Sequence, residues 1–198
     1  LCFMVHSTLL HRETALVAQV ANATNKKARL TWNSVNGATS YDVYFARCNY
    51  PKKDSKFKKV ATVENGSLVY TKKGLKKGKT YKFYVVAKKD NTTIAKSLSI
   101  HHIAGNTQGK YTNAKSISLN TSSVTISQGQ SAQLSASVKK VKSGKKLLSK
   151  GHAAVVRYIS SNPQVATVNG NGTIYAEGTG YCKVYAQTVN GIWKAVEV

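Results

Sequence analysis

The groups in this 198-residue chain that could do chemistry are seven carboxylates, five imidazoles and three thiols. Their spacing argues against catalysis. The acids are Glu13, Asp42, Asp54, Glu64, Asp90, Glu177 and Glu197, and no two are closer than ten residues. A calcium site or a glycosidase pair needs carboxylates that converge. The imidazoles are His6, His11, His101, His102 and His152. His6 and His11 are separated by a run with no clear period. His101 and His102 are adjacent on a predicted strand, so they point to opposite faces. Neither pair has the spacing of a zinc site. Cys2, Cys48 and Cys182 are too few for a disulfide framework. Cys182 is in phase with Val184 and Ala186 and reads as a small core residue, while Cys48 sits where a strand runs into a basic loop. A Cys48–Cys182 bridge would tie the two halves of the chain, but spacing alone does not support one, and free thiols are the favoured reading. The glycines fall in hairpins rather than between a strand and a helix, so no phosphate loop is expected. The chain therefore reads as a non-enzyme with no metal and no cofactor.

Binding chemistry is better represented. The net charge is +23, from 30 basic and 7 acidic residues spread over both halves. Such a balance favours anionic surroundings. Only Arg12, Arg29, Arg47 and Arg157 are arginines; the other cations are lysines. Base edges and bidentate phosphate contacts prefer the Arg fork, so nucleic acid is not the favoured partner. Scattered lysines solvate a surface and blunt exposed strand edges, and this is the favoured reading against a dedicated polyanion site. The densest lysine segments are 52–59, 72–79 and 139–150. The last carries Lys139, Lys140, Lys142, Lys145, Lys146 and Lys150 as candidate ligand contacts. Tyr44, Tyr50, Tyr84, Tyr175 and Tyr185 fall on outward phases or loops. Tyr44 and Tyr84 are candidate contacts for sugars or a protein partner, although cross-strand packing explains them more simply.

These residues must be held by strands. Leu30 and Trp32 alternate around Thr31, and a turn follows at Asn33–Gly37. Tyr41, Val43 and Phe45 alternate with Asp42 and Tyr44, as on a strand with one buried face. Tyr81, Phe83, Val85 and Ala87 repeat the pattern, and 94–103 closes the first half. Gly105–Gly109 reads as a short polar linker that sets two sandwiches end to end. Beyond it, Ile117 and Leu119, then Val124 and Ile126, then Ala132 to Val138, give alternating runs. Asn169–Gly172 is a strong hairpin signal. The loop 139–150 contains Leu147 and Leu148, which gives it a means of folding down. Trp193 lies on the last strand, where the alternation leaves core and surface both open.

The first half resembles the fibronectin type III domain. The resemblance rests on Leu30-Thr-Trp32, on Ala38 to Tyr44, and on Leu75 placed six residues before Tyr81 in Gly78-Lys-Thr-Tyr-Lys-Phe-Tyr-Val85. It implies that Trp32 anchors the core and that Tyr81 forms a corner, its hydroxyl bonded to upstream backbone. The second half resembles the bacterial immunoglobulin-like group 2 domain, through the stretch Ser160-Ser-Asn-Pro-Gln-Val-Ala-Thr-Val-Asn-Gly-Asn-Gly-Thr-Ile-Tyr-Ala-Glu-Gly-Thr-Gly180. The lysine-rich loop before Val155 departs from that family's pattern. Members of the family decorate secreted and surface proteins of bacteria, adhesins among them.

Together these readings give an all-β chain of two tandem immunoglobulin-like β-sandwiches. The expected organisation is an unassigned segment at 1–13, a first sandwich at 14–104, a linker at 105–110 and a second sandwich at 111–198. The expected role is a binding or spacer module of a bacterial surface or secreted protein. Its expected partners are a host glycoprotein, such as an immunoglobulin, or an anionic cell-wall or glycan polymer. No run is long and apolar enough to span a membrane. A start without Met suggests an internal segment of a longer protein with further domains.

Overall fold

The computed structural model describes residues 15–49, 55–64, 66–148 and 154–198. Expectations on Cys2, His6, His11, Glu13, Tyr50, Asp54, Lys150 and His152 lie outside the described residues. The first sandwich holds β1 (Ala18–Thr24), β2 (Lys27–Trp32), β3 (Ser40–Arg47), β4 (Lys58–Glu64), β5 (Val69–Lys72), β6 (Thr80–Lys89), β7 (Thr92–Lys96) and β8 (Ile100–Ile103). One sheet runs β1-β2-β5. The other runs β4-β3-β6-β7, with β8 also paired to β6. Period-two alternation places Tyr41 and Val43, then Tyr81, Phe83 and Val85, on the face that meets Leu30 and Trp32. The segment 94–103 is two strands rather than one. Ser97 takes a bulge-like place between them: the Val85 N–H donates to Ser97 Oγ at 2.9 Å, and the Ser97 N–H donates to the Val85 carbonyl at 2.9 Å.

Two short strands follow, β9 (Thr107–Gln108) and β10 (Tyr111–Thr112), paired antiparallel. The segment read as a linker is thus a hairpin with its own ladder. The second sandwich comprises β11 (Ala114–Leu119), β12 (Ser131–Gln133), β13 (Ala136–Lys140), β14 (Lys146–Leu147), β15 (Val156–Ser160), β16 (Ala166–Val168), β17 (Thr173–Ala176), β18 (Lys183–Thr188) and β19 (Trp193–Glu197). Its main sheets run β12-β17-β16 and β15-β18-β19, while β11 pairs with β13. The run from Ala132 to Val138 is not one strand, because the chain changes partner at Leu134–Ser135, from β17 to β11. Val124 and Ile126 lie outside any named strand, although the Val124 N–H donates to the Glu197 carbonyl at 2.8 Å. Leu134, Ile174, Cys182, Val184 and Val196 form the second core. Gly172 shows why the 169–172 turn needs glycine. Its φ is +87°, and a Cβ there would stand 2.4 Å from the Leu134 carbonyl oxygen.

The sandwiches do not meet through a small polar contact. The turn joining β18 to β19 is seated against β1 and β8, an edge strand of one sheet and the last strand of the other. The Val20 N–H donates to the Asn190 carbonyl at 2.9 Å, and the His101 N–H donates to the Val189 carbonyl at 2.8 Å. Ala15 and Val17 pack with the buried Tyr185, Ile159 and Trp193. Ile103, Leu148 and Val189 form a second apolar contact with Tyr111. An edge strand exposes unpaired backbone groups, and the inserted turn accepts one amide from each of these strands.

Candidate functional site

Trp32 is 5% exposed, with its ring 5.7 Å from that of Tyr41. Tyr81 is equally buried and stacks on Phe45 at 5.4 Å. Its hydroxyl accepts the Lys76 N–H at 2.9 Å, which closes the 74–80 turn onto the core. A second tyrosine does the same in a place the sequence did not flag: the Tyr41 hydroxyl accepts the Val35 N–H at 2.9 Å.

The candidate ligand tyrosines face one another. Tyr44 and Tyr84 are opposite in register on β3 and β6, and their rings stack at 4.5 Å with planes 10° apart. Phe57 adds an edge contact to Tyr84 at 4.7 Å. Lys96 Nζ lies 4.4 Å from the Tyr84 centroid, and Lys82 Nζ lies 5.1 Å from that of Phe57. These cation–π contacts and the mutual stack occupy ring faces. The arrangement is a cross-strand aromatic cluster half-open to solvent, not a bare stacking platform. Desolvation, with Tyr44 beside it, pushes the Tyr84 hydroxyl above its ordinary pKa. Tyr185, read as outward, is 2% exposed, because the start of the first sandwich covers it. Tyr175 is exposed.

The candidate lysine loop does fold down, and its lysines separate. Lys139 and Lys140 are consecutive on β13 and so point to opposite faces. Lys142 is exposed at the following turn. Lys145 Nζ donates to the Gly109 carbonyl, and the Lys146 N–H donates to the Lys110 carbonyl at 2.8 Å. Leu148 is buried at the junction, which pins the loop. Lys145 and Lys146 therefore belong with the β9–β10 hairpin, away from Lys139.

Buried polar groups concentrate at the junction. His102 Nε2 donates to Asn22 Oδ1 at 2.9 Å, because that oxygen also accepts the Gly105 N–H at 3.0 Å. His102 Nδ1 then accepts from Asn113 Nδ2 at 3.2 Å. The neutral ring is fully partnered, and burial lowers its pKa from 6.5 to about 4. Asn113 also accepts the Ile103 N–H at 3.0 Å. Asn190 brackets Ala114, donating to its carbonyl at 3.1 Å and accepting its N–H at 3.2 Å. The fully buried Gln187 donates to the Ala18 carbonyl at 2.7 Å. Arg157 crosses the interface, donating to the carbonyls of Ser99 at 2.7 Å and Thr188 at 3.3 Å, and burial lowers its pKa to about 10. Sequence patterning missed this site because its residues come from five separate segments.

Among the described residues no group of three or more His, Cys, Asp or Glu could hold a metal. Asp42 is committed to Lys59 at 3.4 Å and to the Thr62 hydroxyl at 2.6 Å. A groove of about 620 Å³ beside Trp193 is lined by Asn33, Lys183, Tyr185 and Glu197. It offers one carboxylate, and general acid–base hydrolysis of a glycoside uses two. Cys182 is buried in the second core, where desolvation pushes its thiol up, and neither Cys48 nor Cys182 is in a disulfide.

The strand pairings define a class: an all-β protein of two tandem immunoglobulin-like sandwiches. Residues 113–195 match the family model of the bacterial Ig-like domain (group 2). The chain is also similar to solved fibronectin type III structures. One is the sixth such domain of a human fibronectin type III domain containing protein 3, at 16% identity over 47% of this chain and 83% of that one, with a TM-score of 0.38. Another is an Fn3-like protein from Clostridium thermocellum, at 29% identity over 44% and 84%, with a TM-score of 0.35. A pectate lyase from Erwinia chrysanthemi is matched at 12% identity, over 44% of this chain and only 28% of that one, with a TM-score of 0.38. No curated protein matches the chain. Modules of these two families are typically non-catalytic binding or spacer units. No helix among the described residues is long and apolar enough to cross a membrane.

Proposed function

We propose that the chain is a rigid, non-catalytic adhesion module of a bacterial surface or secreted protein. The observation that carries this reading is the turn 189–191, seated against β1 and β8 and bonded to both. A spacer joined by a loose linker samples many orientations. A buried, hydrogen-bonded junction instead holds the loops and faces of both sandwiches in one fixed arrangement, which favours extended ligands. The separation of the described carboxylates supports a role without chemistry. The expected ligand is a host glycoprotein or an anionic polymer of the cell envelope. The half-open Tyr44–Tyr84–Phe57 cluster on the first sandwich supports the glycoprotein, since tyrosine is enriched at protein interfaces. The test is capture from host serum or mucus on the immobilised chain, beside a panel of glycoside, peptide and phosphoester substrates. A saturable partner and no turnover are expected. Robust turnover would overturn the reading.

A further inference from the structure

The structure assembles a lysine surface different from the loop that the sequence singles out. The Leu75 N–H donates to the Lys26 carbonyl at 3.0 Å, which sets the β1–β2 turn beside the turn after β5. The Gly78 N–H donates to the Ala104 carbonyl at 2.8 Å, and the Ala104 N–H returns to the Lys79 carbonyl at 3.0 Å. These bonds place the β5–β6 turn against the β8–β9 turn. A Cβ at Gly105 would lie 2.8 Å from the Lys77 side chain and 3.4 Å from Asn25 Oδ1, so all three turns meet there. The β9–β10 hairpin then continues to Lys110, whose carbonyl accepts the Lys146 N–H. Four segments distant in sequence become one contiguous surface that reaches the junction. It carries exposed Lys26 and Lys27, then Lys73, Lys76, Lys77 and Lys79, and continues across the junction to Lys110 and Lys146. No acidic residue occurs in 24–30, 71–82, 103–111 or 140–148. Lys72 and Lys145 are excluded, because both are half-buried and their Nζ groups donate to backbone carbonyls, of Lys73 and Gly109 respectively.

We propose that this ridge is a docking surface for a linear polyol-phosphate polymer, a chain of phosphodiesters joined by hydroxylated units. The inference rests on the surface location given above, which puts such envelope polymers within reach, and charge complementarity supplies the attraction. Lysine is a compact, strongly hydrated point charge, suited to isolated tetrahedral monoanions on a flexible chain. Planar carboxylates and base edges reward the arginine fork instead. Single-stranded nucleic acid needs open aromatic faces; the aromatic on this ridge, Tyr111, has Lys110 Nζ over it at 5.7 Å. Exposed neutral groups such as Asn25 lie among the lysines and can bond the polymer's hydroxyls.

The experiment measures binding of the whole chain to purified poly(glycerol phosphate) across a salt series, with heparin and duplex DNA as parallel probes. One variant replaces Lys26, Lys27, Lys76 and Lys77 with Gln. A control replaces the exposed Lys58, Lys89, Lys115 and Lys194, removing the same charge elsewhere. The ridge variant is expected to lose about tenfold or more in affinity. Its dependence of log K on log salt should flatten by roughly 3, from about 0.7 per released counterion. The control should keep the wild-type slope to within about one unit. Equal losses in both variants would reduce the effect to net charge and overturn the ridge. Tighter binding of heparin or DNA than of poly(glycerol phosphate) would overturn the polymer assignment. Absence of binding at low salt would overturn the docking surface, while a partner captured from serum would still leave the adhesion module standing.

Discussion

A tyrosine hydroxyl that accepts a backbone N–H ties a loop to the core without leaving a buried donor unpaired. Tyr81 does this for Lys76 and Tyr41 does it for Val35. Tyr81→Phe should cost about 1 kcal/mol and Trp32→Ala about 3–5 kcal/mol, both read from urea midpoints at a constant m-value. His102 gives the residue scale its pH dependence. The folded ring stays neutral down to about pH 4, whereas the unfolded ring protonates near pH 6.5. Between those values the unfolded chain binds more protons, so its contribution to stability is complete above pH 6.5, falls as the pH drops toward 4, and is flat below. The loss is at most about 3 kcal/mol. Protonation also sets a donor on Nδ1 against the Asn113 amide, a clash at the domain junction. His102→Gln keeps one donor and one acceptor, so its stability should lose the slope between pH 6.5 and 4. Denaturation series across that range, on both proteins, check the sign.

The β18–β19 turn is the element on which the junction depends. Gly191 has φ +89°, and a Cβ there would lie 2.3 Å from the Ala18 carbonyl oxygen and 2.7 Å from Gln19 Cα. Gly191→Ala should therefore push the turn off β1 and β8. Hydrogen exchange would then rise at the Val20 and His101 amides, which donate to the turn, while amides between β3 and β6 stay protected. Strands such as β6 were legible because one face is core and the other more open, so Tyr81 to Val85 alternate cleanly, whereas on β3 Asp42, read as solvent-facing, is buried and held by Lys59 and Thr62. The change of partner at Leu134–Ser135 was not legible, since alternation carries on through a chain that switches sheets. Tyr185 misled for a related reason: the outward face of its own sandwich is covered by the other one. A period-two pattern does not distinguish water from a neighbouring domain. The lysine ridge was hidden because its turns are far apart in sequence, and only the fold brings them together.

At the scale of the whole molecule, two modest cores share a third and a fourth apolar contact at their junction. Half-buried Arg157 and the buried Gln187 and Asn190 fix its register through directional bonds to backbone, and breaking such bonds inside an interface is costly. The two sandwiches should consequently open only when that junction breaks as a unit. An independent check is thermal unfolding followed at Trp32, in the first core, and Trp193, at the junction. The Trp193 signal should change no later than the Trp32 signal, since unfolding the first sandwich removes the contacts of Ala15 and Val17. The fixed arrangement of the pair is measurable by small-angle solution scattering at neutral pH. A rigid pair gives a profile fitted by one closed arrangement and unchanged by reductant, because neither Cys48 nor Cys182 is in a disulfide. A profile that requires an ensemble of interdomain orientations would contradict it.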